Sequence, residues 1–276
     1  MTLFLVALAF CLAPLTALAV SLETAIEQGE AKVQPEYDKN VAEVAEKIVD
    51  KTITFASDAT WPPMEFVDES KNIVGFSVDL VNAMAKAGGF TPVIKNTAWD
   101  GIFAGLIAGK YDAVSSSVTI TEERQKAMDF SEPYFEVKQG VVVKDGSAIK
   151  TQDDLKGKKV GAQIGTTGFF TSKRLVGDSN SKSYDEVGLA IADLANGRLD
   201  AVICDDAVAA DYALTNPEYK ESLNLAFLVE SDTPEYLGFA VQKGDAATLA
   251  VINASLAKIK ASGEYDEIFK KWFGSN

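Results

Sequence analysis

The segment "SSSVTITEERQKAMDFS" (115–131) holds an arginine where a helix disfavours one. Thr121 is a good N-cap, and Glu122 and Glu123 follow in the first turn, where free N–H groups and the helix dipole favour carboxylates. Arg124 stands in the same turn, so its cation needs an anion. The nearest candidates are the two glutamates and Asp129. A second feature is "GTTGFF" (165–170), a glycine turn opening a helix, which is an anion site on physical grounds. Thr166 and Thr167 there can serve as N-caps and face a ligand at the same time. A third is the carboxylate pair Asp205 and Asp206, which follows an apolar run.

Short strands alternating with amphipathic helices must position these groups. "TITFAS" (52–57) alternates like a strand, and "SVDLVNAMAKAGG" (77–89) reads as a helix from a Ser77 cap to a glycine pair. "TPVIKN" reads as a strand, "WDGIFAGLIAGK" as a helix closed by Gly109, and "KKVGAQIG" (158–165) as a strand. In "AATLAVINASLAKIK" (246–260), Leu249, Ile252, Leu256 and Ile259 share one helix face. This alternation predicts an α/β architecture.

The chain also echoes itself. "LIAGKYDAV" (106–114) matches "LANGRLDAV" (194–202) at five of nine positions, with a Lys/Arg exchange besides. Each reads as a helix end, a C-cap glycine and a strand opening. Polar residues follow both strands: "SSSVT", with Ser116, Ser117 and Thr119, and "CDDA", with Cys204 and Asp205. Ligands of open α/β sheets bind beyond the carboxyl ends of strands. Two such units predict two lobes facing one cleft.

Composition excludes several classes. The 276 residues are 47% hydrophobic, enough for one large core or two modest ones. Residues 1–19 are uncharged and apolar and end in Ala17-Leu18-Ala19, the pattern of a cleaved secretory signal. The expected product is exported to the periplasm, since Cys204 alone remains beyond the signal and allows no internal disulfide. Histidine is absent, which removes His-based triads, bases and metal sites. No cofactor is called for. The net charge of −14 and the lack of a basic stripe speak against nucleic acid. Residues 20–50 read as an acidic helical extension broken near Pro35.

"GFSVDL" (75–80), "TITEERQKAMDFSEPY" (119–134), "GKKVGAQIGTT" (157–167) and "GEYDEIFKKWFG" (263–274) give the chain a specific likeness. From about residue 51 onward it resembles the polar amino-acid family of periplasmic solute-binding proteins, the capture components of ABC importers. The resemblance implies a type II periplasmic-binding-protein fold, with lobe 1 at 51–137 plus 236–276 and lobe 2 at 138–235. It implies that Arg124 holds the α-carboxylate of a free amino acid, a good match for a planar guanidinium fork. Backbone N–H groups at Thr119 and Thr167 would assist. Asp205 would take the α-ammonium, with Asp206 as its rival, and Ser117 would add its hydroxyl or carbonyl. Trp61 and Trp99 would clamp the ligand side chain, while Phe76, Phe130 and Trp272 stay in the core. Asp58 occupies the place that meets a distal nitrogen.

Because the matching positions of the second lobe are the neutral Gln163 and Cys204, Asp58 lacks a protein cation. Lysine or arginine is therefore the expected ligand, and glutamine or another polar amino acid the alternative. The family's expected partner is an inner-membrane permease, and a monomer is expected. The same fold also resembles cyclohexadienyl dehydratases, for which Glu65 or Asp58 would be the candidate general acid. A receptor not coupled to transport is a further alternative.

Overall fold

The computed structural model describes residues 51–274, so the signal segment and the acidic extension lie outside the described residues. Strand β1 (Thr52–Ser57) is followed by a small three-stranded sheet, β2 (Thr60–Trp61), β3 (Glu65–Val67) and β4 (Ile73–Val74). Helix α1 (Phe76–Gly88), strand β5 (Thr91–Asn96), helix α2 (Ile102–Ile107) and strand β6 (Ala113–Val114) come next. Helix α3 (Glu122–Ala127) and strand β7 (Met128–Phe130) complete the first run. The chain crosses over in β8 (Phe135–Val137) and enters a second sheet with β9 (Gln139–Lys144).

That second unit continues through β10 (Val160–Gln163), α4 (Thr167–Val176), β11 (Ser181–Tyr184) and α5 (Val187–Ala195). Strand β12 (Ala201–Asp205), helix α6 (Asp206–Ala210) and strand β13 (Leu223–Leu228) close it. The chain then returns through β14 (Glu235–Leu237) to β15 (Ala240–Gln242) and ends in α7 (Ala246–Ala261) and α8 (Glu264–Phe273).

Each five-stranded sheet is mixed. The first has the order β5-β1-β6-β15-β7 and the second β11-β10-β12-β9-β13. In each, four strands run in one direction and a single strand, β15 in the first and β9 in the second, runs antiparallel to its two neighbours. The two crossovers pair with each other, Glu235 opposite Val137 and Leu237 opposite Phe135. The type II binding-protein architecture expected from the sequence is present, as two sheet-containing lobes joined by a two-stranded ladder.

The internal echo is structural. Gly109 and Gly197 both adopt left-handed conformations, and each donates its N–H to the leucine three residues back, Leu106 or Leu194. Lys110 and Arg198 then donate to Gly105 and Asp193. The aspartates of the two "DAV" runs do the same work: Asp112 accepts from Thr54 N–H and Asp200 from Lys159 N–H, both at 2.8 Å. Each carboxylate thereby locks a strand opening to its neighbour.

Helix α1 differs from expectation at its start. Gly75, with φ of 136°, is the N-cap, and Ser77 lies buried one residue inside the helix. A Cβ at Gly75 would stand 2.2 Å from Met64 O, so glycine is required where β3 and the helix meet. The inner face of α1 buries Leu80, Val81 and Met84 completely, each contributing roughly 1.5–3 kcal/mol. Helix α7 buries Ile252, Leu256 and Ile259 as the spacing predicted, with Leu249 only partly covered. Phe76 is fully buried, whereas Phe130 and Trp272 are half-buried.

Candidate functional site

Strand ends build the site. Asp58 follows β1, Ser116 and Ser117 follow β6, Gln163 ends β10, and Asp205 ends β12. Thr166 and Thr167 open α4, and Arg124 lies in the first turn of α3. Together with Trp61, Trp99 and Thr119 these residues line one small, tightly closed cavity between the two sheets.

The local geometry explains each placement. Thr121 caps α3, its hydroxyl accepting from the Arg124 N–H at 3.2 Å. The side chain of Arg124 turns away from its glutamates: Nη1 donates to Thr119 O at 2.8 Å and Nη2 to Gly165 O at 3.1 Å. None of the three neighbouring carboxylates is its partner: Glu123 pairs with Lys126, Asp129 with Lys243, and the Arg124 side chain makes its hydrogen bonds elsewhere than to Glu122. The guanidinium lies 5.4 Å from the centroid of Trp99 and 5.1 Å from that of Phe103. Burial lowers its pKa to about 10, opposed by the carboxylates of Asp205 and Glu235, so it stays charged at neutral pH. Five N–H bonds, two of them used on carbonyls, leave a fork for a carboxylate.

Thr119 bridges to Leu237 of the second crossover. The bridge uses Ile120 N–H to Tyr236 O and Gly238 N–H to Val118 O, which turns the Thr119 N–H away from the ladder. Opposite, the Thr166 hydroxyl caps α4 by accepting from Phe169 N–H, leaving Thr167 at the exposed N-terminus. The Thr119 and Thr167 hydroxyls stand 3.4 Å apart across the cleft.

Two carboxylates line the same cavity. Asp205 is buried, with Oδ1 accepting from Gln139 at 3.0 Å and Oδ2 from Trp61 Nε1 at 3.3 Å. Burial raises its pKa to about 7; Glu235 and Asp206 add to this, and the Gln139 and Trp61 hydrogen bonds oppose it. The rival Asp206 does not line the cavity; its backbone N–H bonds Lys138 O in the first crossover. Asp58 is raised too, mainly by burial, against hydrogen bonds from Gln163 and Thr60. Gln163 reaches across the cleft to Asp58 Oδ2 at 2.8 Å, and among the described residues no lysine or arginine pairs with Asp58.

The Ser117 hydroxyl donates its proton to Glu65 Oε2 at 3.1 Å and keeps its lone pairs, so both its hydroxyl and its carbonyl can accept from an ammonium. Glu65 is fully buried and does not line the cavity, which leaves Asp58 as the one general-acid candidate facing it. Ser116 lines the cavity and also supports Asp58, its Oγ accepting the Asp58 N–H at 2.9 Å. Sequence reasoning missed Phe103, whose ring meets that of Trp99 with centroids 5.0 Å apart; the four-residue spacing was a signal only under the reading of a helix from Trp99, and the helix starts at Ile102. It also missed Gln139 and Glu235, for which no local signal exists.

Strand-end loops around a cleft between two sheets define a type II binding protein. The sequence matches "Bacterial extracellular solute-binding proteins, family 3" over residues 53–275, and the chain belongs to that family. It is 44% identical over 227 residues to the probable histidine-binding protein of Neisseria gonorrhoeae, covering 81% of this chain and 83% of that one. It is 38% identical over 240 residues to ABC transporter arginine-binding protein 1 of Escherichia coli (strain K12), covering 84% and 93%. Among solved structures, the arginine-, lysine-, histidine-binding protein ArtJ of Geobacillus stearothermophilus superposes with a TM-score of 0.76 at 40% identity, covering 82% and 96%.

Proposed function

We propose that this chain captures a basic L-amino acid outside the cytoplasm and delivers it to an ABC permease. The observation that carries the reading is the charge pattern of the cavity: Arg124 at one end, Asp205 beside it and Asp58 at a distance. A zwitterion with one distal cation complements that set, whereas a second ligand carboxylate would face a carboxylate. The relatives named above, which bind histidine, arginine or lysine, support the same class.

Each lobe supplies part of the contact. Residues 51–137 plus 236–276 bring Arg124, Asp58 and the two tryptophans, and residues 138–235 bring Thr167, Gln163 and Asp205. A ligand touching both has higher affinity for the closed form, and that difference drives closure. The monomer is the working unit, and the closed form is what the permease recognises.

The direct test is thermal. Purified chain from residue 20, stripped of ligand by unfolding and refolding, is melted against the twenty amino acids. A ligand at about 1,000 times its Kd adds about 4 kcal/mol to stability. Shifts confined to arginine, lysine and histidine support the reading. No shift with any amino acid overturns it and turns attention to dehydratase activity.

One observation favours a second reading. Gln163 shows that Asp58 can accept a neutral amide at 2.8 Å, so a glutamine side chain could do the same. Asp58→Asn discriminates: it should weaken lysine or arginine at least tenfold more than glutamine, by removing a charge from a buried, charge-assisted contact. Equal losses, measured by calorimetry, would favour glutamine.

A further inference from the structure

Gln139 opens β9 just past the first crossover, and its side chain is 4% exposed. Its Nε2 lies 3.0 Å from Asp205 Oδ1, 3.1 Å from Thr167 Oγ1 and 3.0 Å from Glu235 Oε2. An amide nitrogen carries two hydrogens, so three acceptors compete for them. Asp205 and Thr167 line the ligand cavity, while Gln139 and Glu235 line a separate groove formed by the two crossovers. Gln139 is thus the partition between cavity and hinge.

The partition is tight. Gly168, in the first turn of α4, packs on the amide, and a Cβ there would stand 2.8 Å from Gln139 Oε1 and 3.0 Å from Ile203 O. Glu235 reaches in from β14, where it pairs with Val137 of the first crossover. One side chain therefore touches the ammonium-binding carboxylate and is braced by the second hinge strand.

The chemistry suits an amide. Two carboxylates within 3.0 Å of one nitrogen repel each other, and a shared N–H donor eases both. A lysine would do so more strongly, but it would neutralise Asp205 and compete with the ligand ammonium. The neutral amide leaves the charge in place and fixes its direction: Oδ1 is held, and Oδ2 turns toward Trp61 and the cavity.

We propose that Gln139 is the positioning residue of the ammonium subsite, holding Asp205 toward the ligand and relaying its engagement to the second crossover through Glu235. This rests on the reading of Asp205 as the α-ammonium ligand.

The experiment compares arginine with desamino-arginine, which keeps the carboxylate and guanidinium but lacks the α-amine. Gln139→Met keeps length and removes the hydrogen bonds. It should weaken arginine about tenfold, the loss of one charge-assisted hydrogen bond, and leave desamino-arginine within about twofold, since no ammonium is engaged there. A general structural effect would weaken both by the same factor, and that result, like unchanged arginine affinity, would overturn the proposal. If Gln139→Met does not fold, Gln139→Asn, one methylene too short to span the contacts, makes the same comparison. For the relay, the Gln139→Met penalty should shrink in a Glu235→Ala background; losses that simply multiply would overturn it. Failure of the unaltered protein to bind any amino acid would bring down the functional reading instead.

Discussion

Arg124→Ala should raise the Kd for the amino acid roughly 30- to 5,000-fold, the equivalent of about 2–5 kcal/mol. The loss has two sources. A ligand carboxylate in a buried cavity loses its bidentate partner, and truncation leaves that charge desolvated and unpaired. The fold should survive, because α3 is capped by Thr121 and Arg124 makes no ion pair among the described residues. Arg124→Lys should recover only part of the affinity, since a point charge cannot span both carboxylate oxygens or stack on Trp99 and Phe103. Calorimetry with a melting curve as control reads both. An unchanged Kd in the alanine variant would mean that the carboxylate end of the ligand lies elsewhere.

Asp205→Asn is the second large effect, and it should appear in the pH profile. Burial in the cleft raises the pKa of the Asp205 carboxyl to about 7. Capturing an ammonium requires the ionised form, so affinity should be constant above that pH. Below it, affinity should fall by up to about tenfold per pH unit. The free protein has the opposite preference: its carboxyl pKa is raised above the unfolded value, so the folded state holds the proton more tightly. That contribution to stability is present on the acid side of the window and lost as pH rises through about 7. Asp205→Asn should lower the plateau affinity by about 2–5 kcal/mol and flatten the profile. Asp58 and Glu65 are also raised, so a profile that persists in the variant would assign the titration to one of them. With no histidine in the chain, no ordinary side chain obscures that window.

Much of the site could be read from the sequence because its parts are local. A glycine turn before a helix, a threonine cap and polar residues after a strand are short-range signals, and each stands where it was expected. Trp61 and Trp99 were different: nothing in their spacing distinguished them, and only the family likeness pointed to them, as only it separated Asp205 from Asp206. Proximity along the chain alone pointed Arg124 to the wrong partners, since Lys126 and Lys243 take Glu123 and Asp129. Ser77 was misjudged as a cap because Gly75 can start the helix earlier, in a conformation closed to other residues. What could not be read are the contacts that depend on how the lobes meet. Gln163 and Asp58 are 105 residues apart, and Trp61 and Asp205 are 144 apart. No local pattern encodes such pairs; they follow from the crossover geometry.

The hydrogen bond from Trp61 to Asp205 also gives the protein an optical reporter of its own. Two of its three tryptophans line the cavity, while the third, Trp272, is tied to Asp79 at 2.7 Å. An indole whose N–H touches a carboxylate emits according to the charge and position of that carboxylate. Ligand capture alters both for Trp61 and leaves Trp272 as an internal reference. Occupancy should therefore be readable in real time from the unlabelled protein's own fluorescence.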